Sequence, residues 1–376
     1  MFMHDAVLTT LNVRTSVVLE CAHISRAGMR AHMSCWNART KVLCSSLVWA
    51  AGGHYTAGDS YKKGQIMSVA FVFPGQGAQT IGMGRDLAEA YPAARAVFEE
   101  VDAALGENLS ALIWEGDAET LTLTQNAQPA LMATSLAAMR ALEAEGIGMD
   151  RASFVAGHSL GEYSALCAAG ALSIADTARL LRTRGQAMQE AVPVGVGAMA
   201  ALLGLDFETV GAVAAEAAQG EVCEAANDND PGQVVVSGHN GAVERAVDLA
   251  KAKGAKRAVM LPVSAPFHCS LMAPAAHVME TALAGVDFNA PAVPVVPNVM
   301  AEACTDPDML RAKLVEQVTG SVRWRESVAW MAAQGVTEIW EIGAGKALSG
   351  MIRRIDRAIA TRAVGAPGDV SAARDG

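Results

Sequence analysis

Gly157-His158-Ser159-Leu160-Gly161 places a hydroxyl between two glycines, directly after the apolar run Phe154-Val155-Ala156 and before a helical stretch at 163–169. That is the G-x-S-x-G pattern of a nucleophile elbow, in which a serine sits at the tip of a tight strand-to-helix turn. Glycines flank such a turn because backbone packs on backbone there and a Cβ would not fit. A serine at the mouth of a helix also lies beside free N–H groups, which can receive a developing oxyanion. Five positions alone fit an idle serine in a glycine-rich turn equally well, so the rest of the chain must decide.

Three further stretches carry groups suited to the same chemistry. Pro74-Gly75-Gln76-Gly77-Ala78-Gln79 is a turn in which the backbone around Gln76 can approach a ligand closely. A helix expected over 174–190 carries Arg179, Arg182 and Arg184. Most helical arginines are solvated; Arg184, beside Gly185, is the one singled out. Pro262-Val263-Ser264-Ala265-Pro266-Phe267-His268-Cys269-Ser270 is a loop stiffened by proline, and His268 on it is a candidate general base for a serine. Cys269 is a rival nucleophile, but it lacks an elbow and is expected to pack as a small buried thiol.

An alternating framework must position these groups. Residues 68–73 are almost wholly apolar, as a buried parallel strand should be. Helical periodicity follows at 90–105 and 108–114. Residues 121–128 are polar and expected as a loop, with Pro129 in the first turn of a helix reaching about 145. The strand 151–156 leads to the elbow. Ser173 is the expected cap of the 174–190 helix, and Asp176 suits its dipole. Strand 198–203, helix 207–218, strands 221–226 and 233–237, helix 242–253 and strand 256–263 follow the β-α-β-β-α-β order of a ferredoxin-like unit. Asn227-Asp228-Asn229-Asp230-Pro231-Gly232 is expected as the turn joining its central strands. The chain returns through a helix at 271–284, a strand at 293–299, helices at 307–317 and 324–333, a strand at 337–342, and a helix ending near 355.

The expected fold class is therefore α/β. A large α/β-hydrolase-like domain with a parallel sheet (67–194 and 265–362) receives an inserted ferredoxin-like domain (195–264), and 363–376 is expected as a loose tail. Residues 1–66 hold seven Lys/Arg against three Asp/Glu, a net +4, which leaves −14 of the overall −10 for the remainder. They lack sustained periodicity, whereas Met67-Ser68-Val69-Ala70-Phe71 runs straight into the first strand. They are expected to be an upstream start that adds nothing to the fold.

A net charge of −10 argues against a nucleic-acid or anionic-membrane binder. Seven cysteines without a C-x-x-C pair suggest reduced thiols in a cytoplasmic protein rather than a disulfide frame or a metal site. No apolar run reaches membrane-spanning length.

The ordered set Phe73-Pro74-Gly75-Gln76-Gly77-Ala78-Gln79, Gly157-His158-Ser159-Leu160-Gly161, Arg184-Gly185 and Ala265-Pro266-Phe267-His268 resembles the malonyl-CoA:acyl carrier protein transacylases of type II fatty acid synthesis, from about residue 67 to 359. The resemblance implies roles position by position. Ser159 would take the malonyl group as an ester, and His268 would act as its base. Gln76 and Leu160 would supply the oxyanion-hole N–H groups. Arg184 would grip the free malonyl carboxylate, and the main-chain carbonyl of Gln317 would orient His268. It also implies malonyl-CoA as substrate, acyl carrier protein as partner, no permanently bound cofactor or metal, and a monomer. Gly343-Ala344-Gly345-Lys346 departs from the frequent Gly-Pro-Gly-Lys of the family. The alternatives are a serine hydrolase or thioesterase, a polyketide-synthase-type acyltransferase, and a non-catalytic carrier-binding protein. An acidic carrier would need a local basic rim, for which Lys251, Lys253, Lys256 and Arg257, or Arg323 and Arg325, are the candidates.

Overall fold

A parallel sheet buried on both faces needs apolar side chains on both, and the first strand, β1 (Ser68–Phe73), provides them. Its Val69, Phe71 and Phe73 face one hydrophobic cluster, while Ala70 and Val72 face another built around Trp324, Val328 and Ile352. The computed structural model describes residues 68–263 and 265–375, so the expectations for residues 1–66 lie outside the described residues.

Numbering the remaining strands in chain order gives β2 (Ala152–Gly157), β3 (Gly197–Leu203), β4 (Cys223–Asp230), β5 (Gln233–His239), β6 (Arg257–Met260), β7 (Val295–Val296), β8 (Val336–Ile342) and β9 (Ala360–Val364). Five of them form one parallel sheet in the order β7-β2-β1-β8-β9. Four form an antiparallel sheet, β4-β5-β3-β6. The succession within the second sheet is β-α-β-β-α-β, the split βαβ arrangement. One of its faces packs against the helices Phe207–Ala218 and Asn240–Ala252 through Leu202, Val236, Val213 and Val243. Its other face, with Met199, Ala201 and Val235, joins the core of the first sheet.

Three local expectations are corrected. Residues 121–128 are not a loop: helices cover Ala118–Thr122 and Thr124–Ala144, and Pro129 lies inside the second, past its first turn. Polarity misleads there because it is spent on tertiary partners. Asn126 donates to the Thr120 carbonyl at 2.8 Å, and Gln128 accepts from Arg184 at 2.8 Å. Second, Asn227 to Asp230 are buried residues of β4, not a turn, and only Pro231-Gly232 connects to β5. Three of their side chains reach partners outside the second sheet. Asp228 pairs with Arg325 at 2.7 Å, Asn229 meets His158 Nε2 at 2.8 Å, and Asp230 pairs with Arg354 at 2.7 Å. Third, residues 363–375 are not a loose tail: β9 extends the parallel sheet, and the helix Pro367–Asp375 buries Val370 and Ala373. Among the described residues, no helix is long and apolar enough to cross a membrane.

Candidate active site

The elbow is set by sterics at two glycines. A Cβ on Gly157 would lie 1.9 Å from the Gly161 backbone, and one on Gly161 would lie 2.2 Å from the Phe73 carbonyl oxygen. The turn therefore closes against the end of β1, and the helix Gly161–Ala168 leaves directly from it. Ser159 sits at the tip with φ of 53°, in the left-handed region. Its strained backbone is held on both sides. Ser159 N–H donates to Asn298 Oδ1 at 2.8 Å, its carbonyl accepts from Gln317 Nε2 at 2.9 Å, and Asn298 Nδ2 donates to the Gly157 carbonyl at 2.7 Å.

His268 reaches the serine from the loop after β6. Its Nε2 lies 2.8 Å from Ser159 Oγ, and its Nδ1 lies 2.9 Å from the main-chain oxygen of Gln317. A carbonyl can only accept, so the proton sits on Nδ1 and the lone pair of Nε2 faces the serine hydroxyl. Burial pushes the imidazole pKa down to about 3, the neighbouring Arg184 adds to this, and the bond to Gln317 opposes it. His268 is thus neutral before reaction and ready to take a proton.

Arg184 completes the group from inside the helix Ile174–Glu190, where Gly185 allows close packing on the backbone of Gln125. It is 1% exposed. Nη1 donates to Gln128 Oε1 at 2.8 Å, and Nη2 donates to Gln317 Oε1 at 2.9 Å and to Ser159 Oγ at 3.1 Å. Among the described residues no ion pair engages Arg184. A buried guanidinium held by neutral oxygens has room, electrostatically, for an anionic ligand.

Gln76 and Leu160 flank the same point. Among the described residues, no acceptor takes the backbone N–H of either. Gln76, Ser159, His268 and Arg184 line a cleft of about 460 Å³. Met199, Ala201 and Val235 of the second sheet form its opposite wall.

All six residues singled out in the sequence therefore converge. Gln317 contributes more than its carbonyl, since its side-chain amide bridges Ser159, Arg184 and Glu162. Sequence reasoning missed Asn298, Gln128 and Glu162. Glu162 stands one residue past the G-x-S-x-G run, which was its only local signal, and Asn298 gave none, lying inside the apolar stretch expected as the strand 293–299. Cys269 is not a nucleophile: its thiol donates to the Pro266 carbonyl at 3.1 Å, and burial pushes its pKa up to about 11. Of the candidate rim cations, Arg323 and Arg325 are paired with Glu326 and Asp228, and Lys251 and Lys253 with Asp248 and Glu216. Lys256 and Arg257 remain exposed. Among the described residues, no cluster of His, Cys, Asp and Glu could hold a metal ion.

The sequence model of the acyl transferase domain family matches residues 70–356. The chain is 50% identical over 304 residues to the malonyl CoA-acyl carrier protein transacylase of Escherichia coli O157:H7, covering 81% of this chain and 98% of that protein. The crystal structure of an acyl-carrier-protein S-malonyltransferase from Bartonella henselae is similar at 56% identity and a TM-score of 0.80, covering 82% of this chain and 98% of that one. A type II polyketide synthase acyl carrier protein has been solved in complex with its malonyl-transacylase. That complex matches at 44% identity and a TM-score of 0.80, covering 82% of this chain and 99% of that one.

Proposed function

Because the chain belongs to the malonyl-CoA:acyl carrier protein transacylase family, we propose that it moves a malonyl group from coenzyme A to the phosphopantetheine thiol of acyl carrier protein, supplying fatty acid synthesis, through an ester on Ser159. One observation carries the assignment of roles: the Ser159 hydroxyl lies 2.8 Å from a neutral imidazole and 3.1 Å from a buried guanidinium that forms no ion pair among the described residues.

Ser159 passes its proton to His268 Nε2 as Oγ attacks the malonyl thioester carbonyl. The backbone N–H groups of Gln76 and Leu160 receive the oxyanion, a contribution of about 2.7–4 kcal/mol per donor in such sites. Ser159's own N–H is committed to Asn298, which is why the following N–H takes this role. As the tetrahedral centre collapses, the C–S bond breaks and the imidazolium returns the proton to the leaving thiol. The carrier thiol then reverses the sequence, giving ping-pong kinetics. The Gln317 carbonyl steadies the imidazole throughout. Arg184 trades its contact with Ser159 Oγ for two parallel charge-assisted bonds to the free carboxylate of the malonyl group.

The reading includes no resident cofactor, a cytoplasmic setting, a monomer, and a division of the chain at 67–194, 195–264 and 265 onward, the last including β9 and the helix Pro367–Asp375. Intact-mass measurement after mixing with malonyl-CoA tests the core of it. A malonyl adduct on the protein, absent from Ser159→Ala and discharged by carrier thiol, is expected. Discharge to water faster than to the carrier would instead indicate a hydrolase.

A further inference from the structure

Glu162 is fully buried in the first turn of the helix that leaves the elbow, and none of its described contacts is with Ser159 Oγ or His268. Its Oε2 accepts from the backbone N–H of Asn298 at 2.9 Å and from Gln317 Nε2 at 2.8 Å. The same Gln317 Nε2 donates to the Ser159 carbonyl at 2.9 Å. A primary amide has one donating end and one accepting end. With its NH₂ held between the Glu162 carboxyl and the Ser159 carbonyl, Oε1 must point the other way, where it accepts from Arg184 Nη2 at 2.9 Å. The reverse orientation would set an oxygen against two acceptors and an NH₂ against a guanidinium, a loss of three bonds in a dry site.

We propose that Glu162 is a positioning residue for malonyl selection: its Oε2 fixes the amide orientation of Gln317 and, through that amide, the placement of the Arg184 guanidinium beside Ser159. The inference rests on Arg184 being the group that receives the malonyl carboxylate. Oε1 of Glu162 has no hydrogen-bond partner among the described residues. A proton can therefore sit on Oε1 while Oε2 goes on accepting. Burial pushes this carboxyl up to about 7, so both forms are present near neutrality and both keep Gln317 in place. What matters is an acceptor at Oε2, not a full charge.

The test compares single-turnover acylation of Ser159 by malonyl-CoA and by acetyl-CoA, read by intact mass, in wild type, Glu162→Ala, Glu162→Gln and Gln317→Met. The methionine variant removes the amide but leaves the main-chain carbonyl that orients His268. The malonyl-to-acetyl rate ratio is expected to fall about tenfold or more in Glu162→Ala and Gln317→Met, and to stay within about threefold of wild type in Glu162→Gln, where an amide oxygen replaces Oε2. Both rates falling together, with the ratio unchanged, would mean a merely structural role and overturns the proposal. So does a glutamine variant that loses the ratio as alanine does, since charge would then be the cause. Should Glu162→Ala fail to fold, Glu162→Met, which fills the space without an acceptor, takes its place with the same expected fall in the ratio. A wild type that takes acetyl but no malonyl overturns the reading of Arg184 instead, before any variant is compared.

Discussion

Ser159 and His268 both hold left-handed backbone, at φ of 53° and 60°, and their side chains meet at 2.8 Å. Neither is a glycine, so each conformation costs of order 1–3 kcal/mol and persists only where surrounding bonds fix it. At Ser159 those bonds come largely from Asn298. Asn298→Ala orphans the Ser159 N–H and the Gly157 carbonyl, at about 1–3 kcal/mol each. Urea unfolding should show the loss, and single-turnover acylation should slow. A variant as stable and as fast as wild type would remove Asn298 from this account.

Arg184 should govern which acyl group is accepted. Deleting one partner of a buried charge pair costs about 2–5 kcal/mol, so Arg184→Ala is expected to lose malonyl transfer while keeping or gaining acetyl transfer. The comparison of kcat/KM for the two thioesters measures this, and equal loss of both would refute the role.

The same guanidinium holds down the basicity of His268, second only to burial. Arg184→Gln should therefore raise the His268 pKa from about 3 toward its ordinary value, visible by NMR titration of the imidazole. No movement would mean that the charge does not reach the base.

Glu162 and His268 should tilt pH-dependent stability in opposite directions. Glu162 is raised from 4.5 to about 7, so between those values the folded protein holds a proton that the unfolded chain has lost, and stability falls as pH rises through the window. His268 is lowered from 6.5 to about 3, so the unfolded chain binds the extra proton there, and stability rises across about pH 3 to 6.5. Glu162→Gln removes only the first effect. Its stability relative to wild type should therefore increase between pH 4.5 and 7 in chemical unfolding, and a flat difference would sink the assignment.

Gly157→Ala should destabilise the fold more than an ordinary surface change, since its Cβ would stand 1.9 Å from backbone rather than from a mobile side chain. Thermal unfolding of Gly157→Ala beside Gly211→Ala, where nothing stands within 4 Å, measures the difference. Similar losses for both would contradict the close-packed turn.

Much of the site was legible because its constraints are local. The elbow needs glycines at 157 and 161 within one turn, and the cap of the 174–190 helix needs only Ser173, whose Oγ accepts from Asp176 N–H at 3.0 Å. The polar run Asn227 to Asp230 was misread because its partners are remote. They stand 71 positions away for Asn229 (His158), 97 for Asp228 (Arg325) and 124 for Asp230 (Arg354). Exposed in a turn or paired in a strand, such residues look alike in sequence. The chain end was misread for a similar reason, since its order comes from pairing with β8 and from Arg374 reaching Glu145.

By itself, then, the sequence determined the bend that presents the serine and the alternation of strands and helices, because short-range sterics and residue periodicity suffice for these; it named His268 as a candidate base and singled out Arg184, whose roles only the resemblance of the four ordered motifs implies. Only the tertiary structure decided that Glu162, Asn298 and the Gln317 amide lock that serine and arginine together. A buried hydrogen bond is satisfied by whatever the fold carries to it, across 139 positions from Ser159 to Asn298 and 133 from Arg184 to Gln317, and no local pattern records such a meeting.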